Sequence, residues 1–243
     1  MNDSRAPVDR QKVLLEKEDW RFHAIDFVGT GLGSIATTER IGKAILAFSL
    51  PSAPALFLSL AQSAHQRRSA IPVDAAFIEH APPQGIWPED HTNVFDFFEA
   101  FLAEIICAYT AIEAFANESI PADFKYKKRR KDNKEMLDAI AIEKFIPLDE
   151  KLKRVLPCAH AIPSPAGTII WERYLELSNL RNRLIHLKAI DRKSSGPEHR
   201  TIWGELLNKR EHNFAKIALE TIAVFPSLVG NRRWFTLAQT KIT

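Results

Sequence analysis

Residues 93–118 read NVFDFFEAFLAEIICAYTAIEAFANE. At about 100° per residue, the apolar side chains cover most of the circumference, which predicts one long helix buried on several sides. Asn93 and Asp96 form a cap-like pair near its start, and Pro121 follows its end. Residues 168–190, TIIWERYLELSNLRNRLIHLKAI, predict a second long helix. Ile169, Leu177, Leu180, Leu184 and Leu187 share one face of it. Glu172, Glu176, Asn179 and Arg183 lie opposite, as a solvated face should.

Between the two helices, residues 125–131 read KYKKRRK, six basic residues in seven. This stretch is expected as a loop. Asp132 with Glu135 reads as a capping pair opening a helix over 132–146, stopped by Pro147. A short helix over 149–156 ends at Pro157. After the second long helix, SSGP at 194–197 breaks the chain. Helices over about 198–208 and 210–229 then finish at Gly230, and a second basic–aromatic patch, NRRWF, spans Asn231–Phe235. No β-hairpin signal and no repeat stands out. The expected class is all-α: an up-and-down helical bundle over 91–243, preceded by an N-terminal, mostly helical extension over 1–90 of unassigned role.

Within that extension, residues 44–64, AILAFSLPSAPALFLSLAQSA, carry no charge and are long enough to span a bilayer. Pro51 and Pro54 in the middle argue for two short buried helices instead, over 35–50 and 53–66, hinged at SLPSAP. Gly29, Gly31 and Gly33 are spaced GxGxG rather than GxGxxG, so a flexible lead-in to the next helix is expected rather than a dinucleotide site. Residues 66–92 are polar and dotted with prolines, as a connection would be.

Composition sets the outer bounds. The 243 residues are 46% hydrophobic and 26% charged, with a net charge of +3, which is a globular and not a disordered balance. Two distant cysteines, Cys107 and Cys158, exclude a disulfide scaffold and a cysteine zinc cluster, and fit a reducing, cytoplasmic setting. The charged first twenty residues do not read as a secretory signal. The eight histidines show no HxxxH or HExxH spacing, so no metal ligands are assigned.

One residue departs from the helical pattern. Arg181 falls at the edge of the apolar face, where a bundle buries it, and a buried guanidinium needs partners or a function. Asn182 and His186 are four apart and share a face. Arg181 and His186 are about 140° apart on an ideal helix. They meet on one ligand only if the arginine reaches round, the helix distorts, or a second copy contributes.

The run Arg181-Asn182-Arg183-Leu184-Ile185-His186 resembles the signature of the HEPN superfamily: an arginine, a polar neighbour, and a histidine a few positions on, on a late helix of a helical bundle. Glu113 and Asn117, on the long upstream helix, supply polar groups from an otherwise apolar surface. The resemblance covers about residues 90–228. It implies a metal-independent endoribonuclease without cofactors, of the kind found in prokaryotic toxin–antitoxin and abortive-infection systems. It also implies a homodimer with the two motifs facing across a cleft, and a cognate antitoxin, a nucleotidyltransferase or another protein.

The chemistry suits the residues. RNA carries its own nucleophile, the 2′-OH, beside the scissile phosphate. His186 is a proton-transfer group for neutral pH, Arg181 a forked cation for the phosphorane, and Asn182 an orienting group. Glu113 and Asn117 support them. Lys125, Lys127, Lys128, Arg129, Arg130 and Lys131 are the expected phosphate contacts. Each residue also has an architectural reading. Arg181 then pairs with Glu113 inside the bundle, His186 is a surface histidine near a helix end, and KYKKRRK is a solvated loop. On that rival reading the protein is a non-catalytic RNA-binding or protein-interaction module.

Overall fold

Pro54 pre-sets the first turn of helix α1 (Ala53–Ser69), and the three-residue spacing of Ala55, Leu58, Ala61 and Ala64 gives it a narrow buried stripe. The stripe packs along α2 (His91–Glu118), the longest helix. A computed structural model of the chain describes residues 19–27, 31–76, 91–129, 134–193 and 201–242.

As its composition requires, α2 is buried on several sides: Phe97, Phe101, Ile105, Ile112 and Phe115 are all in the core. Alanines at 100, 108, 111 and 116 are fully buried between them, and such small side chains let neighbouring helices approach closely. The helix begins at His91, so Asn93 lies inside it and does not cap it.

Beyond α2 come α3 (Ala139–Phe145), α4 (Leu148–Glu150), a π-helical turn over Lys151–Val155, and α5 (Leu156–His160). The expected short helix over 149–156 is therefore longer, and Pro157 lies within the helical run rather than ending it. The second long helix is α6 (Ile169–Ile185), capped by Thr168, whose hydroxyl accepts from the Trp171 N–H at 3.2 Å. It stops short of residue 190, and a 3₁₀ turn over Ala189–Arg192 follows. The chain then forms α7 (Ile202–Asn208), α8 (Phe214–Ala223), α9 (Pro226–Val229) and α10 (Arg233–Lys241). Helix α8 packs against α1, α2 and α6, and α2 packs against α6.

The fold is thus mostly helical, but three antiparallel hairpins stand where helix or loop was expected. Strands β1 (Ala24–Phe27) and β2 (Gly31–Ser34) pair at the GxGxG stretch, of which Gly29 and Thr30 lie outside the described residues. Strands β3 (Ala36–Ile41) and β4 (Ala44–Ser49) replace the expected helix over 35–50. Ile41 pairs with Ala44, so Gly42 and Lys43 make a two-residue turn, and Gly42 at φ 61° supplies the left-handed backbone that this turn needs. Ile35, Ile41, Ile45 and Leu46 remain exposed around this hairpin.

Strands β5 (Tyr126–Arg129) and β6 (Lys134–Leu137) replace the expected loop and the start of the helix over 132–146. Glu135 does not cap a helix; it pairs across from Lys128, an opposite-charge pair that favours this register. The helix starts later, at α3, where Asp138 accepts from the Ala141 N–H at 2.8 Å. Arg130, Lys131 and Asp132 lie outside the described residues.

The NRRWF stretch is no surface patch. Arg233, Trp234 and Phe235 are buried, with α10 against α1 and β1. Arg233 donates to the Asp19 carbonyl at 2.6 Å and lies over the Phe22 ring. The chain also continues past the expected end at Gly230 into this helix. Residues 53–69, upstream of the expected boundary at residue 90, share one hydrophobic core with α2, α6 and α8. Among the described residues no helix is long and apolar enough to cross a membrane.

Candidate functional site

Helix α6 presents its two faces differently from the pattern read in the sequence. Leu177, Leu180 and Leu184 are buried as expected. Ile169 is 74% exposed and Leu187 is also exposed, whereas Trp171, Tyr174 and Ser178 are buried. The face expected to be solvated is covered in part: Glu172 and Asn179 are exposed, while Glu176 and Arg183 are half-buried. Arg183 reaches Glu205 on α7 at 2.5 Å and Asp191 at 2.9 Å, and Lys209 binds Glu176.

Asp191 ties this region together. Its side chain is fully buried and accepts from the Ile202 N–H at 2.7 Å and the Lys188 N–H at 3.0 Å. Loss of water pushes its carboxyl up. The two N–H groups and the Arg183 guanidinium outweigh that and hold it below the ordinary carboxylate range. A lowered carboxyl stabilises the fold fully above its unfolded value, about pH 3.9, and ceases to do so as pH falls through the folded value. Asp191→Asn is therefore expected to cost about 1–3 kcal/mol at neutral pH, because charge-assisted bonds are weakened. The deficit should shrink in acid. Urea unfolding at pH 7 and pH 3 checks this; an equal deficit at both would reject it.

Arg181, in contrast, is half-buried and sits against α2. Its guanidinium lies 4.7 Å above the centroid of the Tyr109 ring, and its NH1 donates to Asn182 Oδ1 at 3.0 Å. Glu113 is one turn beyond Tyr109, yet among the described residues no ion pair joins it to Arg181. The guanidinium stacks on the ring instead. Tyr109 went unnoticed in the sequence because it reads as one more apolar position. Burial pushes its hydroxyl up, the Glu113 carboxylate adds to this, and Arg181 opposes it.

Behind Tyr109 lies a buried polar network. Tyr174 donates to Asp149 Oδ1, and Ser178 lies beside the Tyr109 and Tyr174 hydroxyls. Burial, and then that carboxylate, push the Tyr174 hydroxyl far up. Lys151, in the π-helical turn, is 1% exposed and donates to Asn117 Oδ1 at 2.7 Å and to the Glu143 carbonyl at 2.8 Å. Desolvation pulls its ammonium down, and the Glu113 and Glu143 carboxylates push back. Asn117 thus serves Lys151 rather than Arg181. Glu113 acts on both Lys151 and Tyr109.

His186 is the first residue past α6, with φ −118° and ψ 64°. Its N–H still donates to the Asn182 carbonyl at 3.0 Å, so the four-residue register with Asn182 holds. Both side chains are exposed. Among the described residues no side-chain partner orients the His186 imidazole. The structure therefore brings Arg181 and Asn182 into contact and leaves Asn182 and His186 together on one exposed helix end.

The expected phosphate contacts lie elsewhere, on the β5–β6 hairpin and its approach. Lys125 and Lys127 are exposed and Lys128 is half-buried. Arg129 is the last residue of β5, and Arg130 and Lys131 lie outside the described residues.

Compared with family models, with curated proteins and with solved structures, the chain matches none.

Proposed function

We infer that the protein is a metal-independent endoribonuclease of HEPN type, acting as a toxin in a prokaryotic defence or toxin–antitoxin system in the cytoplasm. The observation that carries this reading is the end of α6. There Arg181 is hydrogen-bonded to Asn182 and held against α2, and an exposed His186 is kept in register with Asn182. Helices α1, α2, α6 and α8, packed on one core, are what we read as the HEPN-like bundle.

In this reading the RNA 2′-OH attacks the neighbouring phosphorus and the bond to the 5′-oxygen breaks. His186 moves the proton that this exchange requires. Arg181 stabilises the charge on the phosphorane oxygens, and Asn182 fixes the guanidinium. The products are a 2′,3′-cyclic phosphate and a 5′-hydroxyl. A homodimer would place a second copy of the motif across the cleft, supplying the group that one imidazole alone does not. A cognate antitoxin, a nucleotidyltransferase or another protein, would silence it.

One observation favours the rival reading, a non-catalytic RNA-binding or interaction module. Arg181 already has a stacking partner, and among the described residues of one copy nothing orients the imidazole. Incubating the protein with RNA in excess chelator separates the two readings. Cleavage leaving 2′,3′-cyclic phosphate ends is the expected result. Binding without cleavage, in the dimer as well as the monomer, would replace the enzyme by the module.

A further inference from the structure

Residues 125–154 hold eleven Lys and Arg against six Asp and Glu, an excess of five in a chain whose net charge is +3. The fold sets the described parts of this segment against one another. Lys128 Nζ donates to the Phe145 carbonyl at 3.5 Å, which sets the β5–β6 hairpin against the end of α3. Tyr126 donates to Glu150 Oε1 at 2.8 Å, which sets the same hairpin against the chain entering the π-helical turn, where Lys153 and Arg154 are exposed.

In the middle of these cations is an aromatic ring that no core requires. Phe145 is 59% exposed at the last residue of α3, and Lys144 Nζ lies 5.2 Å from its ring centroid. One ammonium covers at most one face of a ring.

We propose that Phe145 is a stacking platform for an unpaired base, with Lys128, Lys144, Lys153 and Arg154 holding the flanking phosphates, so that the ligand is single-stranded RNA. A flat apolar ring among flexible cations fits a polyanion whose bases are free to splay out, and a duplex hides those faces. Beneath this surface, Lys151 donates to the Glu143 carbonyl on α3 and to Asn117 Oδ1 on α2, and Asn117 is eight residues, about 12 Å, along α2 from Tyr109. The inference rests on the ribonuclease reading for its choice of RNA, and it names the substrate class of that site.

The test is fluorescence anisotropy with a 2′-O-methyl single strand, which lacks the nucleophile and cannot be cut. Phe145→Ala is expected to weaken binding about 5- to 100-fold with the salt slope unchanged, and Phe145→Trp to restore it. Lys144→Ala with Lys153→Ala is expected to flatten the slope by about 0.7 per lost contact. Phe145, Lys144 and Lys153 are all exposed, so circular dichroism stays unchanged. Wild-type affinity in Phe145→Ala would overturn the proposal. So would an equal loss on duplex RNA, or binding to phosphatidylserine vesicles in place of the single strand. If RNA is cleaved but Phe145→Ala binds normally, the platform fails and the ribonuclease stands. If no RNA is cleaved but binding depends on Phe145, the ribonuclease fails and the platform stands.

Discussion

His186→Ala is expected to lower RNA cleavage by about 10²–10⁴-fold, the usual worth of a positioned proton-transfer group, with the fold intact. The second half of that expectation comes from the structure. The imidazole is exposed past the end of α6, and the residue's one hydrogen bond, to the Asn182 carbonyl, uses the backbone N–H that alanine keeps. Arg181→Ala should lose a comparable factor, because charge stabilisation of the transition state is of similar size. It is a less clean test, since it also removes the guanidinium from the Tyr109 ring and from Asn182. Single-turnover cleavage in chelator, with circular dichroism on each variant, measures both effects. A folded His186→Ala protein that cuts RNA as fast as wild type would end the catalytic reading and leave the binding module.

Helices α2 and α1 were legible because their signals are local. One is apolar nearly all round, and the other starts at a proline. The run 44–49, AILAFS, is also apolar, and a short apolar run does not distinguish strand from helix. What decides it is Gly42-Lys43, a two-residue turn whose meaning depends on the strands either side. The β5–β6 hairpin hid for another reason: basic residues have no strand preference, and Glu135 fits a capping pattern as well as a cross-strand pair.

The site shows the same division. A helical period says which residues share a face, but not what covers that face. Arg183 was read as solvated because its partners, Asp191 and Glu205, belong to elements that fold back over α6. Arg181 stood out correctly as an exception to the pattern. Its partner Tyr109 did not, because a tyrosine on an apolar helix carries no mark of the guanidinium above it. Lys151 was silent too: it is a lysine in a charged stretch, and its burial follows from a π-helical turn with no signature in the residues.

Glu104→Ala is expected to be the most damaging single truncation of the fold, at about 3–5 kcal/mol, the usual cost of stranding one member of a buried ion pair. Arg68 and Glu104 are both buried, joined by Nε and Oε2 at 2.8 Å, and the Arg68 guanidinium lies 4.0 Å from the Phe101 ring centroid. The pair fastens three elements. Arg68, in the last turn of α1, also donates to the Arg210 and His212 carbonyls, while Glu104 on α2 accepts from the Phe214 N–H at 2.8 Å, where α8 begins. Removing the carboxylate strands a guanidinium and a buried N–H together. For a chain of this size, that corresponds to a fall in Tm of about 6–20 °C. Chemical denaturation of Glu104→Ala, Arg68→Leu and the double variant should show strong non-additivity, the double being more stable than the two losses summed. Simple addition, or a loss under about 1 kcal/mol, would mean the pair is not the clamp its burial indicates. Glu104 and Tyr109 are five residues apart, about 140° around α2, so the clamp and the Arg181 surface occupy different sides of one helix. Cleavage per folded molecule should therefore survive Glu104→Ala, whereas His186→Ala should abolish it in a protein as stable as wild type.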